Sequence, residues 1–302
     1  MTPTASNPAP GTKQPIDTRA LMSIRSLELR AKIVVQGFWN GLHRSPYHGF
    51  SVEFSEYRAY TPGDDTRYLD WRLYGRSDRY YIKKFEDETN LRCHLLLDQS
   101  RSMDFGSSGY TKADYARTLA ATLGYFLYLQ GDAVGLLSFS QAVREYLPAR
   151  NRPGHMRRLF LAMERPSDGK STDLEHPLRR IGELVTKPGL MVLISDFLVP
   201  LEPFEKRLAQ LRARGHEVVL FQTLDPQETE FKFDKDMLFE DIESGTTQFI
   251  DPASGRNSYL KKLRDHQAQL EKITSKLGVK FVVTRIDGRM DHLLLEFIRE
   301  RQ

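Results

Sequence analysis

The stretch LRCHLLLDQSRSM, Leu91 to Met103, decides how the chain is read. Its first seven residues, LRCHLLL, are mostly apolar, as in a strand covered on both faces. The strand then stops in an acid and two hydroxyls, Asp98, Ser100 and Ser102, each one residue apart. Next comes TKADYARTLAATLGYFLYLQ, with Tyr115, Leu119, Leu123 and Leu127 at four-residue steps along one helical face. Strand and helix alternate from there: DAVGLLSFS and the edge strand REYLPA, helices HMRRLFLAME and DLEHPLRRIGELV, then strand GLMVLISDF. Helix EPFEKRLAQLRARG, with Gly215 as its stop, precedes strand HEVVLFQTL. A hairpin around Ser244 and Gly245 leads to a long helix from Ser258 to Leu277, strand VKFVVTRI and a last helix in HLLLEFIRERQ. Leu260, Leu263, Leu270, Ile273 and Leu277 give the long helix a face that packs on the sheet. Such alternation predicts an α/β fold, a doubly wound and mainly parallel sheet with helices on both faces.

Upstream the pattern is different. Residues 1–16 are rich in Pro, Thr, Ser, Asn and Gly and read as a disordered tail. One helical pattern runs from Asp17 to Trp39, with Leu21, Ile24, Leu27 and Leu29 as expected core positions. Phe50, Val52 and Phe54 alternate as in a half-buried strand, and YYIKKFEDE suggests a second short one. The expected organisation is a tail at 1–16, a helix and β segment at 17–90, and the main domain at 91–302.

Composition narrows the function. With 44 basic and 40 acidic residues mixed along the chain, the net charge of +4 argues against a nucleic-acid partner. The single cysteine, Cys93, cannot form an internal disulfide and fits a reducing compartment. MTPTASNPAPGTKQPI lacks the apolar core of a signal peptide. The longest apolar run, LAATLGYFLYL, falls short of the roughly 20 residues that span a bilayer, so no stable membrane insertion is expected. These readings point to the cytoplasm.

In such a sheet, ligands sit at the carboxyl ends of strands, where the strand order reverses. Residues i, i+2 and i+4 of an extended segment face one way, so Asp98, Ser100 and Ser102 can converge there. Thr172, in GKSTDL, and Asp196, ending VLISD, fall at the same sheet edge. Oxygen-rich sets of this kind suit hard divalent cations. Few carboxylates would leave such a cation under-neutralised and open to an acid from outside. The plainer alternative is that these residues cap helices.

Asp98-Gln99-Ser100-Arg101-Ser102, Thr172 and Ser195-Asp196 resemble the metal-ion-dependent adhesion site of von Willebrand factor A domains. That resemblance implies Mg²⁺, or Mn²⁺ or Ca²⁺, held by Asp98, Ser100, Ser102, Thr172 and Asp196, with one position left for an Asp or Glu of a protein partner. HGFSVEFSEYRAYTPGDDTRYLDWRLYGRSDRYYIKKFEDE is similar to the signature of the bacterial family called domain of unknown function 58. Gly63, Asp64, Asp65, Asp70 and Trp71 carry it, with Arg58 and Arg67 nearby. The family resemblance implies a partnership with a MoxR-type AAA+ ATPase and an adaptor or co-chaperone role.

Enzyme readings are weaker. A metal-assisted, phosphatase-like hydrolase using Asp98 would want a second acid nearby, yet position 100 is serine. Gly-Lys-Ser-Thr at 169–172 lacks the P-loop glycine, which Glu164 replaces. GSSG, 106–109, lacks the spacing of a nucleophile elbow. Cys93 lies mid-strand, where a buried thiol is inert.

Overall fold

A computed structural model describes residues 16–42, 57–59, 74, 81–83, 91–166, 173–231, 237–240, 247–250 and 252–299. The elements are α1 (Thr18–Ser23), α2 (Leu27–Leu42), β1 (Tyr57–Ala59), β2 (Tyr81–Lys83), β3 (Arg92–Asp98), a 3-10 turn (Arg101–Asp104), α3 (Lys112–Leu129), β4 (Ala133–Phe139) and β5 (Val143–Arg150). They continue with α4 (His155–Met163), α5 (Glu175–Leu184), β6 (Leu190–Ser195), α6 (Leu201–Ala213), β7 (Glu217–Leu224), α7 (Pro226–Glu230), β8 (Met237–Glu240), β9 (Thr247–Ile250), α8 (Pro252–Leu277), β10 (Lys280–Arg285) and α9 (Met290–Arg299).

Six strands form the main sheet in the order β10-β7-β6-β3-β4-β5. All neighbours run parallel except β5, which lies antiparallel on β4 at one edge. This is the expected doubly wound arrangement, like that of von Willebrand factor A domains. From β3 the chain moves outward to β4 and β5, then returns to place β6 on the other side of β3. The strand order therefore reverses between β3 and β6, which opens a crevice beyond their carboxyl ends.

Helices cover both faces because the strands bury both sets of side chains. Leu95, Leu97, Val192 and Ile194 face a core shared with α1, α2, α3, α4 and α9. Leu96, Met191, Leu193 and Leu220 face the other core, shared with α5, α6 and α8. On α3, Tyr115, Leu119, Leu123 and Leu127 are all buried, as their spacing predicts. Its start is fixed by a capping box, in which Thr111 and Asp114 accept each other's backbone N–H, both at 3.1 Å. Gly215, at φ 83°, follows α6 in the left-handed region, as expected of a helix stop.

Two expectations near the start need comment. The single helical pattern from Asp17 splits into α1 and α2 around Ile24–Ser26. The break resets the phase, so α2 buries Leu27, Ala31, Val34, Val35 and Phe38 while Leu29 turns outward at 47% exposure. Phe50, Val52 and Phe54 lie outside the described residues, as does the tail before residue 16.

The β4–β5 pairing slips twice, between Val134 and Leu136 and between Ser138 and Phe139. At the first slip a side chain on Gly135 would run into the Ala149 backbone N at 2.7 Å and the Leu147 carbonyl at 2.8 Å. Glycine is what lets the two backbones approach there.

Candidate functional site

The crevice between β3 and β6 is built by loops rising from three neighbouring strand ends. Asp98 closes β3 and is fully buried. Its Oδ1 accepts the Ser100 backbone N–H at 2.9 Å, and its Oδ2 accepts the Ser195 hydroxyl at 2.6 Å. Both bonds favour the ionised carboxylate, but burial and the charge of Asp196 outweigh them and push its pKa up to about 7. Ser100 and Ser102 lie side by side, Oγ to Oγ 3.1 Å. The four predicted positions Asp98, Ser100, Ser102 and Asp196 thus belong to one sheet edge, while Thr172 lies outside the described residues.

The decisive neighbour is a lysine. Lys112, the first residue of α3, has 1% of its side chain exposed, and its ammonium reaches Asp196 Oδ2 at 3.0 Å and Glu228 Oε1 at 2.6 Å. Burial works to strip its proton, but Asp196 and Glu228 together hold its pKa above the usual lysine value. Burial also pushes the Glu228 carboxyl up, against the pull of Lys112. The lysine is therefore a fixed cation, sealed between two acids.

Asp196 is held on its other sides as well. Its Oδ1 accepts the Leu198 N–H at 3.3 Å, and its carbonyl accepts from Gln222 Nε2 at 2.9 Å. Gln222 in turn accepts from Gln267 of α8 at 3.3 Å. Glu228 sits in α7, whose start is a second capping box: Asp225 Oδ1 accepts the Gln227 N–H at 2.7 Å, and Glu228 Oε2 accepts the Asp225 N–H at 2.7 Å. Asp225 also grips the GSSG loop, taking the Ser107 N–H at 2.8 Å and the Ser107 hydroxyl at 2.6 Å.

This geometry corrects the expected metal site. Among the described residues, no group of three or more His, Cys, Asp or Glu side chains is placed to hold a metal ion. The physical reason lies in the two carboxylates. Asp196 already has a positive partner in Lys112, and both oxygens of Asp98 accept internal hydrogen bonds. A further cation beside Lys112 would meet like-charge repulsion in a medium of low dielectric. The described residues do not fit Mg²⁺, Mn²⁺ or Ca²⁺, so the metal-dependent adhesion site, the metal-bridged grip on a partner's acid and the metal-assisted hydrolase all fall together.

Sequence reasoning missed Lys112, Asp225 and Glu228. A signal existed for two of them: Asp225-Pro226-Gln227-Glu228 has the acid, the proline at the first helical position and the glutamate of a capping box.

A family model described as "Protein of unknown function DUF58" matches residues 56–269. The chain belongs to the DUF58 family. Uncharacterized proteins of Mycobacterium tuberculosis and Mycobacterium bovis are each 29% identical to this DUF58 chain over 291 residues, 95% of it and 91% of their own length. Among solved structures, it is similar to the conserved hypothetical protein BatB from Bacteroides thetaiotaomicron, with 13% identity and a TM-score of 0.46 over 70% of this chain and 98% of that one. An aerotolerance-related membrane protein from Bacteroides fragilis matches at 12% identity and a TM-score of 0.47, over 70% and 99%. No described helix of this DUF58 chain is long and apolar enough to cross a membrane.

Proposed function

We propose that the chain is a metal-independent protein-binding module, an adaptor that works beside a MoxR-type AAA+ ATPase in the cytoplasm. The observation that carries this reading is the contrast between the crevice and its lip. The charged groups inside are taken up in ion pairs and hydrogen bonds of the chain itself, yet the segment after Asp196 turns apolar side chains outward, with Leu198 45% exposed. Val199 and Pro200 continue it into a cleft of about 140 Å³, floored by Leu174 and Phe204 and rimmed by Asp173 and Glu175. An apolar lip with a polar rim on a rigid sheet edge suits a protein surface. The ATPase partner follows from the family resemblance, and the cytoplasmic setting from the lone cysteine. In this proposal residues 91–302 do the binding and 17–90 form the accessory segment, whose helix α2 braces α3 through Phe38 and Phe126, 5.9 Å apart ring to ring.

The test uses the tagged full chain, a purified MoxR-type ATPase and the variant Leu198→Asp. Wild type should capture the ATPase, and the variant should lose most of that capture while melting at the same temperature. Calorimetric titration of wild type with Mg²⁺ or Mn²⁺ should give no saturable heat. Equal capture by both proteins would refute the lip as the binding surface.

A further inference from the structure

Lys112 does more than neutralise Asp196. It stands where three loops meet, and it bonds to two of them directly. The first is 196–200, which carries the exposed Leu198. The second is 225–231, which contains α7 and Glu228. The third, 105–110, is held at one remove, because Asp225 beside α7 grips Ser107.

Both directly held loops contain a strained residue. Among the described residues, the non-glycine positions with positive φ are Phe197, at 55°, and Phe231, at 46°. Phe197 directly follows Asp196, and Phe231 directly follows α7. Left-handed backbone is costly for a bulky side chain and persists only where the surroundings hold it. Phe197 is fully buried against Phe204 and Phe281, at 5.6 Å and 6.4 Å between ring centres, and Phe231 packs at a tilt on Tyr259, 4.8 Å between ring centres. Packing thus holds the rings, and the buried ion pairs hold the backbone on the other side.

We infer that Lys112 is the positioning residue of the binding lip, a single ammonium that locks the 196–200 and 225–231 loops into one cooperative unit. The consequence is coupling. A disturbance at Glu228, on α7, reaches Leu198 through Lys112, although the two side chains belong to different strand ends. The inference concerns the motion of this chain alone and stands whether or not the lip receives a partner.

Amide hydrogen exchange on the full chain tests it. The informative amides are those of Phe197, Leu198 and Val199 on one loop, and Glu228, Thr229 and Phe231 on the other. Glu228→Gln keeps the size of the side chain but leaves one acceptor oxygen for two donors, Lys112 and the Asp225 N–H; loss of the cap loosens 225–231 alone, and only loss of the Lys112 arm reaches 196–200. The variant should speed exchange by at least about tenfold in both loops, leaving the strand amides of Leu96 and Val192 unchanged. Lys112→Met should also speed both loops, by more than its lower global stability speeds the strand amides, and the double variant should be no faster at Leu198 than Lys112→Met alone, because one lock can be broken only once. A Glu228→Gln effect confined to 225–231, or additive effects in the double variant, would overturn the coupling. If Lys112→Met does not fold, the reach of Glu228→Gln to Leu198 decides alone.

Discussion

On one face of β3, His94 and Asp98 stand four residues apart, about 13 Å at the rise of a strand, at opposite ends of the same sheet. Both are buried and titratable, and they are handled in opposite ways. Around Asp98 the protein has gathered Ser100, Ser195, Asp196 and Lys112 into a bonded network. Around His94 it has gathered almost nothing: Nδ1 has no hydrogen-bond partner, and burial, with His216 and Arg92 nearby, drives its pKa down to about 4. The neighbouring His216 is also buried and shifted downward by that burial. One end keeps charge and bonds it. The other end disfavours the charged form of its histidines.

The largest test of this contrast is at the charged end. Lys112→Met removes the ammonium and leaves Asp196, fully buried, with no cation. Breaking a buried pair in this way costs about 3–5 kcal/mol, so urea unfolding should shift strongly. A loss typical of an exposed pair would show that water reaches Asp196 and that the network is not sealed.

At the uncharged end the expected effect depends on pH. The folded pKa of His94 lies below the unfolded value of 6.5, so its contribution is intact above pH 6.5 and is lost as the pH falls to about 4. The loss is about 3 kcal/mol for a shift of this size. In His94→Leu that part of the acid sensitivity should vanish, measured by urea unfolding at pH 7 and pH 4.5. Parallel curves for the two proteins would mean that His94 takes up its proton without penalty.

Asp98 should slope the other way. Its folded pKa is raised, so its contribution is fully present below the ordinary carboxylate range and declines as the pH rises towards about 7. Asp98→Asn cannot ionise. The stability gap between wild type and this variant should therefore narrow from pH 4 to pH 7, and a gap that widens would reverse the assignment. The smallest effect belongs to the surface. Glu175→Gln removes the exposed pair with Arg207, at 2.7 Å, and should leave the melting temperature unchanged within error.

The same contrast explains what could be read from the residues. Apolar period and length were enough for β3, α3 and β6, because burial writes itself into consecutive residues; β5, only partly buried, was legible as a short edge strand but not in its direction. The convergence of Asp98 and Asp196 was legible too, since chain order and sheet topology put their strand ends together. Lys112 was not. It follows Thr111 in a polar helix start, where a lysine reads as solvated, and only Asp196 and Glu228, 84 and 116 residues later, make its burial tolerable. A hydroxyl and acid pattern suggested a metal because the sequence does not say which cation lies nearest. Leu29 failed for a local reason, since a three-residue break in the helix turned it to the outside.

The slipped edge of the sheet has a consequence of its own. Among the described residues β5 has a sheet neighbour on one side only, and a free row of backbone groups on a flat edge strand would template the addition of another molecule. Here that row is interrupted by Pro148, which has no N–H to offer, and by two register shifts, and it carries Arg144 and Arg150. An incoming strand would lose register within a few residues. Gly135, by admitting the first shift, makes that edge a poorer template for another strand.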